Sequence, residues 1–342
     1  MSQVYWICPT SLPPRDSVYV LRMIILPVGL LANTSTFVLL CRLSGRTRTS
    51  LTMLRSLIFA GAVRTFLELF RQQPSLAMPS FTSDTLGAGV CVVWESGFLT
   101  VAINLFDSLV LVFVVSYRAT QIAFKYQYSF SSSAYIDLVC ASCLCLACFL
   151  CAVPQCFVVA WREGQCECLD RNMPYGKLLL IYAGSFVKYG IDIFINAPLL
   201  TISSVQIILW VRSTPPAKLI DTLNSLAFSG TSESLRREFE QPQGWWTASM
   251  CMVVLSVNFL LLTAYSTVQK MFSVSGVFLL DDNSYWTRFG DCLMLLHVTT
   301  APFIVMIYIP ALRHQMKSFY RKIAAGFRFR RQTVPSLLTL PK

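Results

Sequence analysis

Charge is scarce in this chain. Asp, Glu, Lys and Arg make up only 13% of its 342 residues, about half the share typical of soluble domains, which argues against an ordinary water-soluble fold. Histidine is scarcer, with His297 and His314 the whole complement. Paired metal-binding histidines are therefore excluded, and neither a glycine-rich phosphate loop nor a nucleophile elbow occurs. No enzyme chemistry, metal or cofactor is expected. No internal repeat is visible, which argues against a transporter built from two related halves. Residues 1–17 hold no apolar run, so no cleavable signal peptide is expected and the first apolar segment should act as the anchor.

What the chain has in abundance is long apolar segments. Seven of them occupy 18–43, 51–71, 88–118, 134–161, 177–211, 245–271 and 287–312. Each, at about 20 residues or more, can cross the ~30 Å of a bilayer's hydrocarbon as a helix, and in lipid only helices or closed barrels satisfy their own backbone groups. The expected fold is an all-α membrane protein. A seven-transmembrane helix bundle fills 18–312, an extracellular N-terminus 1–17, and a cytoplasmic basic tail 313–342. That tail should contain a short amphipathic helix resting on membrane lipids.

The net charge of +11 follows from where Lys and Arg sit, and does not imply a nucleic-acid partner. Alternate connections carry Arg42, Arg46 and Arg48, then Arg118 and Lys125, then Arg212, Lys218, Arg236 and Arg237, and the tail continues from Arg313 to Arg331. The other connections carry only a scatter. The positive-inside bias therefore predicts N-terminus out and C-terminus in, at the plasma membrane. Within the longest of the basic connections, SESLRREFEQ is expected to extend the sixth span as a helix.

Cys91 begins the third span, and Cys166 and Cys168 lie in the connection before the fifth. On the outer face an oxidising compartment favours a disulfide. Cys91–Cys166 is preferred, with Cys168 and Cys8 as competitors. Six cysteines crowd the fourth span, from Cys140 to Cys156. They read as small packing residues, since no histidine joins them in a ligand set.

Ionisable groups inside apolar spans are costly and therefore suspected of function. Arg64 and Glu68 lie in the second span, Asp107 in the third, and Lys188 and Asp192 in the fifth. Lys188 and Asp192 are four apart, on one helix face, and could pair. Arg64 has two partners open to it, Asp107 across the bundle or Glu68 along its own helix. Asn33 and Asn258 add uncharged polar groups. Around the outer mouth, Glu95, Asp281, Asp282 and Asp291 mix with Arg162, Arg171 and Lys270 beside Trp94, Trp161, Tyr285 and Trp286. Such a mouth suits a short peptide or a polar chemosensory molecule, with Glu95, Phe98 and Tyr265 as the candidate ligand contacts.

Several motifs then carry a family likeness: Asn33 in GLLANTSTF, Cys91, Tyr117-Arg118 with IAFKY after it, Pro198, Phe259, and Pro302 with Tyr308 in APFIVMIY. Over its seven spans the chain resembles the rhodopsin-like (class A) G-protein-coupled receptors, in a divergent invertebrate peptide-receptor or chemosensory form. The resemblance implies an extracellular ligand bound in the outer half of the bundle and a heterotrimeric G protein engaged by Arg118, Tyr117 and Tyr308. It also implies Cys91 as the third-span cysteine of the family disulfide, and helix bends at Pro198 and Pro302. The likeness has gaps. Tyr117 replaces the aspartate beside the arginine, and the Cys91–Arg118 interval is two residues longer than usual. Thr263-Ala264-Tyr265 replaces Trp-x-Pro, and the asparagine before Pro302 is lost. The family's second-span aspartate would fall near Gly61, so Arg64 with Asp107 is expected to stand in for its sodium site. No Asp within Ser96–Thr100 argues against a monoamine ligand, and no lysine in the seventh span excludes retinal. The alternatives are a multi-span transporter or channel working through Arg64, Asp107, Lys188 and Asp192, or a receptor-like protein that no longer signals.

Overall fold

The computed structural model describes residues 15–45, 48–72, 84–124, 133–162, 164–168, 174–278, 284–319 and 321. Expectations placed on Cys8, Arg46, Lys125, Arg171, Asp281 and Asp282, and on the tail beyond 321, lie outside them.

Ten α-helices follow one another among these residues: α1 (Ser17–Arg42), α2 (Arg48–Arg71), α3 (Asp84–Val90), α4 (Phe98–Ala123), α5 (Ala134–Ala152), α6 (Tyr175–Gly190), α7 (Ala197–Ser213), α8 (Glu233–Glu240), α9 (Ala248–Val274) and α10 (Tyr285–Tyr308). A further helical stretch covers 310–319. Two antiparallel ribbons complete the fold. β1 (Leu43–Ser44) pairs with β4 (Ala227–Phe228), and β2 (Val159–Arg162) pairs with β3 (Gln165–Cys168).

Six helical rods are long and apolar enough to cross a membrane: Ser17–Arg42, Asp84–Ala123, Tyr135–Val158, Tyr175–Ser213, Ala248–Val274 and Tyr285–Tyr308. The protein is thus an all-α, multi-pass membrane protein. The predicted second span forms α2, which has the length at 24 residues. Its charges, Arg48, Arg55, Arg64, Glu68 and Arg71, keep it less apolar than the other six. Large apolar side chains such as Leu31, Leu146, Ile202 and Leu261 point outward with more than 60% of their surface exposed, as a lipid-facing wall requires.

α4 runs through the centre, packed on α2, α5, α7 and α9, while α1 closes the ring between α2 and α10. Its inward side chains, among them Val110, Leu111, Val114 and Val115, are fully buried. Two of the rods change their winding. Cys91–Glu95 forms a π turn before α4, and Ile191–Asn196 forms another between α6 and α7. A π turn closes its hydrogen bond one residue later than an α turn, so it takes up surplus sequence. The first therefore absorbs part of the long Cys91–Arg118 interval. It ends at Gly97, whose φ of 75° is a left-handed conformation that glycine adopts without steric cost.

SESLRREFEQ does not extend the sixth span. It forms the separate helix α8, cut off from α9 by Pro242 and by Gly244 at φ 57°. Pro198 falls at the start of α7 directly after the second π turn, and Pro302 lies buried within α10.

Close helix approach rests on Gly61. Asn33 of α1 donates to the carbonyls of Gly29 (2.8 Å) and of Val298 in α10 (3.1 Å). Its Oδ1 lies 2.7 Å from where a Cβ on Gly61 would stand. An aspartate at 61 would have no room, because Asn33 fills that space. Overpacking of this kind costs ~1–3 kcal/mol. Gly61→Val should lower the thermal midpoint of the detergent-purified protein, and an unchanged midpoint would show that α1 and α2 are not held this closely.

Candidate functional site

The two ends of the bundle are built differently. At one end, here termed the mouth, a disulfide joins Cys91 of the π turn to Cys166 of β3 with a Cα–Cα distance of 5.4 Å. It pins the β2–β3 ribbon over the helix ends. Trp161 of β2 lies against Gly87 of α3, where an added Cβ would meet its ring at 2.4 Å. Arg71 at the end of α2 donates to the Trp94 carbonyl at 2.8 Å, and Gln155 donates to the Ser96 carbonyl at 2.8 Å. The Trp94 carbonyl also accepts from the Gly97 amide at 3.2 Å, so these bonds tie α2 and the turn holding Gln155 to the end of the π turn.

Beneath this mouth lies a cavity of about 290 Å³ walled by α1, α2, α4, α6, α9 and α10. Two ion pairs in its charged lining join neighbouring helices. Arg22 donates to Glu68 at 2.7 Å, and Lys270 donates to Asp291 at 2.6 Å. At the floor, Asp107 Oδ2 lies 3.5 Å from His297 Nε2. Asn258 Nδ2 lies 2.9 Å from His297 Nδ1 and donates to the His297 carbonyl at 3.2 Å. With Asn258 as donor to Nδ1, a neutral imidazole carries its proton on Nε2, toward Asp107. Phe259 meets the imidazole edge to face at 5.2 Å.

Arg64 departs from both of its expected pairings. Glu68 is engaged by Arg22, Asp107 faces His297, and Arg64 makes no ion pair and no hydrogen bond among the described residues. It is nonetheless only 7% exposed and lines the cavity. Lys188 and Asp192 do not pair either. The π turn beginning at Ile191 breaks the four-residue alignment of the helix face. Asp192 instead accepts from Asn196 at 2.8 Å, and Lys188 Nζ stands 4.9 Å from the Tyr189 ring. Of the ligand-contact candidates, Glu95 lines the cavity. Phe98 and Tyr265 do not: Phe98 turns to Phe149 of α5 (5.7 Å between rings), and Tyr265 fills the α9–α10 seam against Gly290.

At the opposite end of α4 sits Arg118, with no exposed surface. Its guanidinium forms an ion pair with Asp221, also fully buried, from the connection between α7 and α9. It further donates to Ser249 Oγ (2.6 Å), Gln121 Oε1 (3.0 Å) and Thr222 Oγ1 (3.1 Å). Tyr117 does not replace the missing acid, but its hydroxyl accepts from Gln121 at 2.9 Å and so orients a ligand of Arg118. Asp221 Oδ2 also accepts from the Ser249 amide at 2.7 Å, and Asn224 Oδ1 accepts from the Ala248 amide at 2.8 Å. The connection thus caps the first turn of α9, whose own N-cap residue, Thr247, supplies no side-chain bond. Leu219, Leu223 and Leu226 seat the same segment in the core, and the β1–β4 ribbon ties it to the end of α1. Tyr308 stacks on Trp246 at 5.6 Å beside this plug.

Sequence reasoning missed His297, Arg22 and Asp221. The signal for Asp221 was present: a lone acid among Leu219, Ile220, Leu223 and Leu226 reads as a buried segment more than as a solvated loop. In α5, Cys143 and Cys151 are exposed on the lipid-facing side and Cys148 is buried. No cluster of three or more His, Cys, Asp or Glu is placed to hold a metal among the described residues. The chain matches no protein-family model and no curated protein.

Outside the spans, Asp16 caps α1 by accepting from the Tyr19 amide at 3.0 Å and takes both terminal nitrogens of Arg288 at 2.9 and 2.5 Å. The Arg288 hydrogen bond holds the Asp16 carboxyl below its ordinary value of 3.8, against an opposing desolvation effect and with help from the Tyr19 amide. A depressed carboxyl stabilises the fold above its unfolded pKa and loses that contribution as pH falls through the folded value. Asp16→Asn, which keeps the cap, should therefore flatten the acid side of a thermal-stability profile below about pH 4 and leave its shape near pH 7 unchanged. An equally steep acid limb in the variant would show that this pair does not contribute.

Proposed function

We propose that this chain is a seven-span plasma-membrane receptor of the rhodopsin-like G-protein-coupled type, with α2 as the span beside the six apolar rods, binding an extracellular ligand in the mouth cavity and acting on a heterotrimeric G protein at the Arg118 end. One observation carries the reading: Arg118, at the end of α4 remote from the cavity, is wholly buried and held by a carboxylate from a connecting segment. A guanidinium used only to mark a membrane edge would reach toward water. This one is sequestered by a plug that a partner could displace.

The charge distribution supports the orientation. Arg42, Arg48, Arg212 and Arg313 cluster at the Arg118 end, and the positive-inside bias favours that end as the cytoplasmic one. The cavity and the plug share α4 and α9, so a ligand that binds one arrangement of these helices more tightly shifts the population toward it. In the resting arrangement Asp221 does what the residue before the arginine does in the resembling family. Tyr117 is free of that duty and instead positions Gln121. The lost motif thus fits a relocated lock better than a lost function. A transporter reading through Arg64, Asp107, Lys188 and Asp192 gains no comparable support, since the sequence shows no related halves from which such a path would be built.

Breaking a buried ion pair by removing one partner costs ~3–5 kcal/mol, here levied on the resting state. Asp221→Asn should raise ligand-independent guanine-nucleotide exchange on a panel of reconstituted Gα subunits several-fold over the unmodified chain, and Arg118→Ala should abolish it. Tags at the two ends should stain intact cells only at the N-terminus. Failure of every Gα to respond to Asp221→Asn would leave a receptor-like protein that does not signal, and reversed staining would overturn the receptor reading altogether.

A further inference from the structure

The cavity contains polar atoms that the protein leaves without partners. Arg64 is more than nine-tenths buried, and its Nε has no acceptor. The acids around it are engaged elsewhere: Glu68 with Arg22, Asp291 with Lys270, and Asp107 facing His297. Asn104 Oδ1 and Ser273 Oγ line the same cavity, and both are buried without a hydrogen-bond partner. Arg22 Nε is a fourth such atom in the lining, though the same guanidinium is held by Glu68. A buried unsatisfied group costs ~1–3 kcal/mol, and a charged one more, so this concentration in one cavity marks a space built for something polar. The set comprises a planar cation suited to bidentate contact with a carboxylate, an amide oxygen that needs an N–H donor, and a hydroxyl. At the rim, Glu95 faces the same cavity, and no hydrogen bond or ion pair engages its side chain among the described residues. Arg64 lies seven residues, or two helical turns, from Arg71, which bonds the rim carbonyl of Trp94. At 1.5 Å per residue this puts it ~10 Å below the rim.

We infer that the cavity takes the free C-terminal end of a short peptide, with its terminal carboxylate on Arg64 and the amide N–H of the chain on Asn104. About three extended residues span ~10 Å, so the amine of a tripeptide, or a basic side chain at that level of a longer peptide, reaches Glu95. The inference rests on the receptor reading for its biological setting, but the binding chemistry stands on these residues alone. A free amino acid offers the same carboxylate but is too short to reach both poles.

The test measures thermal stabilisation of the purified full-length protein by three probe sets: an equimolar tripeptide library with free C-termini, the same library as C-terminal amides, and a pool of free amino acids. The free-acid library should raise the midpoint by ~2 °C or more at saturating concentration, and the amides should not. Arg64→Gln should weaken the response ~10- to 100-fold in half-maximal concentration, with Arg64→Lys recovering part of it. Glu95→Gln, at the rim and outside the packed core, should weaken binding of free-amine tripeptides a few-fold and leave N-acetylated ones unchanged. It keeps the test available if the Arg64 variants fail to fold. Equal stabilisation by acids and amides, or none by the free-acid library, would overturn the inference. Stabilisation by amino acids matching that by tripeptides would overturn the peptide assignment and leave a small-zwitterion site. Gα nucleotide exchange is read separately. Peptide binding without exchange in any variant would refute the receptor reading alone, and exchange by Asp221→Asn without peptide binding would refute the peptide site alone.

Discussion

A guanidinium buried with no access to water must be neutralised and hydrogen-bonded, and much of the Arg118 end of this molecule follows from that requirement. Taking such an ion out of water costs several kcal/mol even after relaxation. Asp221 supplies the charge, and Ser249, Gln121 and Thr222 supply acceptors. To deliver Asp221, the α7–α9 connection has to turn back into the bundle. It stays there because Leu219, Leu223 and Leu226 are apolar and because β4 pairs with β1. The same carboxylate and Asn224 then cap α9. One ion pair therefore fixes the path of a long connection, the start of one helix and the inner face of another.

The rule holds along the rest of the bundle. Several buried polar groups find their partner on the next helix, and such pairs set helix order. Arg22–Glu68 joins α1 to α2, Lys270–Asp291 joins α9 to α10, and Asn33 joins α1 to α10. Asp107, His297 and Asn258 bring α4, α10 and α9 to one point. Against that background Arg64 is an exception with a structural meaning. The two acids that the sequence offers it, Glu68 and Asp107, are turned to Arg22 and His297.

The helical architecture was legible in the sequence because membrane spans are set by length and apolarity, which need no knowledge of partners. The Cys91–Cys166 bridge was legible for a similar reason, since few cysteines stood near the mouth. Pairings inside the bundle were not. Arg64 had Glu68 within its own helix and Asp107 at matching depth, and both were taken by groups from elsewhere: Arg22, one turn into α1, and His297, deep in α10. Sequence spacing orders residues along one helix but says nothing of which neighbour arrives first. Lys188 and Asp192 failed for a different reason, because a π turn between them changed the period on which their pairing depended. Asp221 was hidden by its setting. A segment containing Pro215-Pro216 and Gly230 reads as a solvated loop until its leucines are counted as core.

The two ends of the molecule are joined through a single seam. The cavity floor crosses from α4 toward α9 by way of Asp107, His297 and Asn258, while at the far end Arg118 crosses the same pair of helices to Ser249. Between these crossings α4 is an uninterrupted α-helix from Phe98 to Ala123, with its π turn confined to the mouth side of Gly97. A rod of that kind transmits displacement without absorbing it, because packed interiors are nearly incompressible. Under the proposed receptor reading, separation of α9 from α4 at the cavity floor would load the Arg118–Ser249 bond, and loss of Asp221 from Arg118 would free the start of α9 to move. Coupling between distant sites needs an element with two arrangements that both sites bias. On the receptor reading proposed above, the α4–α9 seam would be that element and the α7–α9 connection the latch that holds one arrangement.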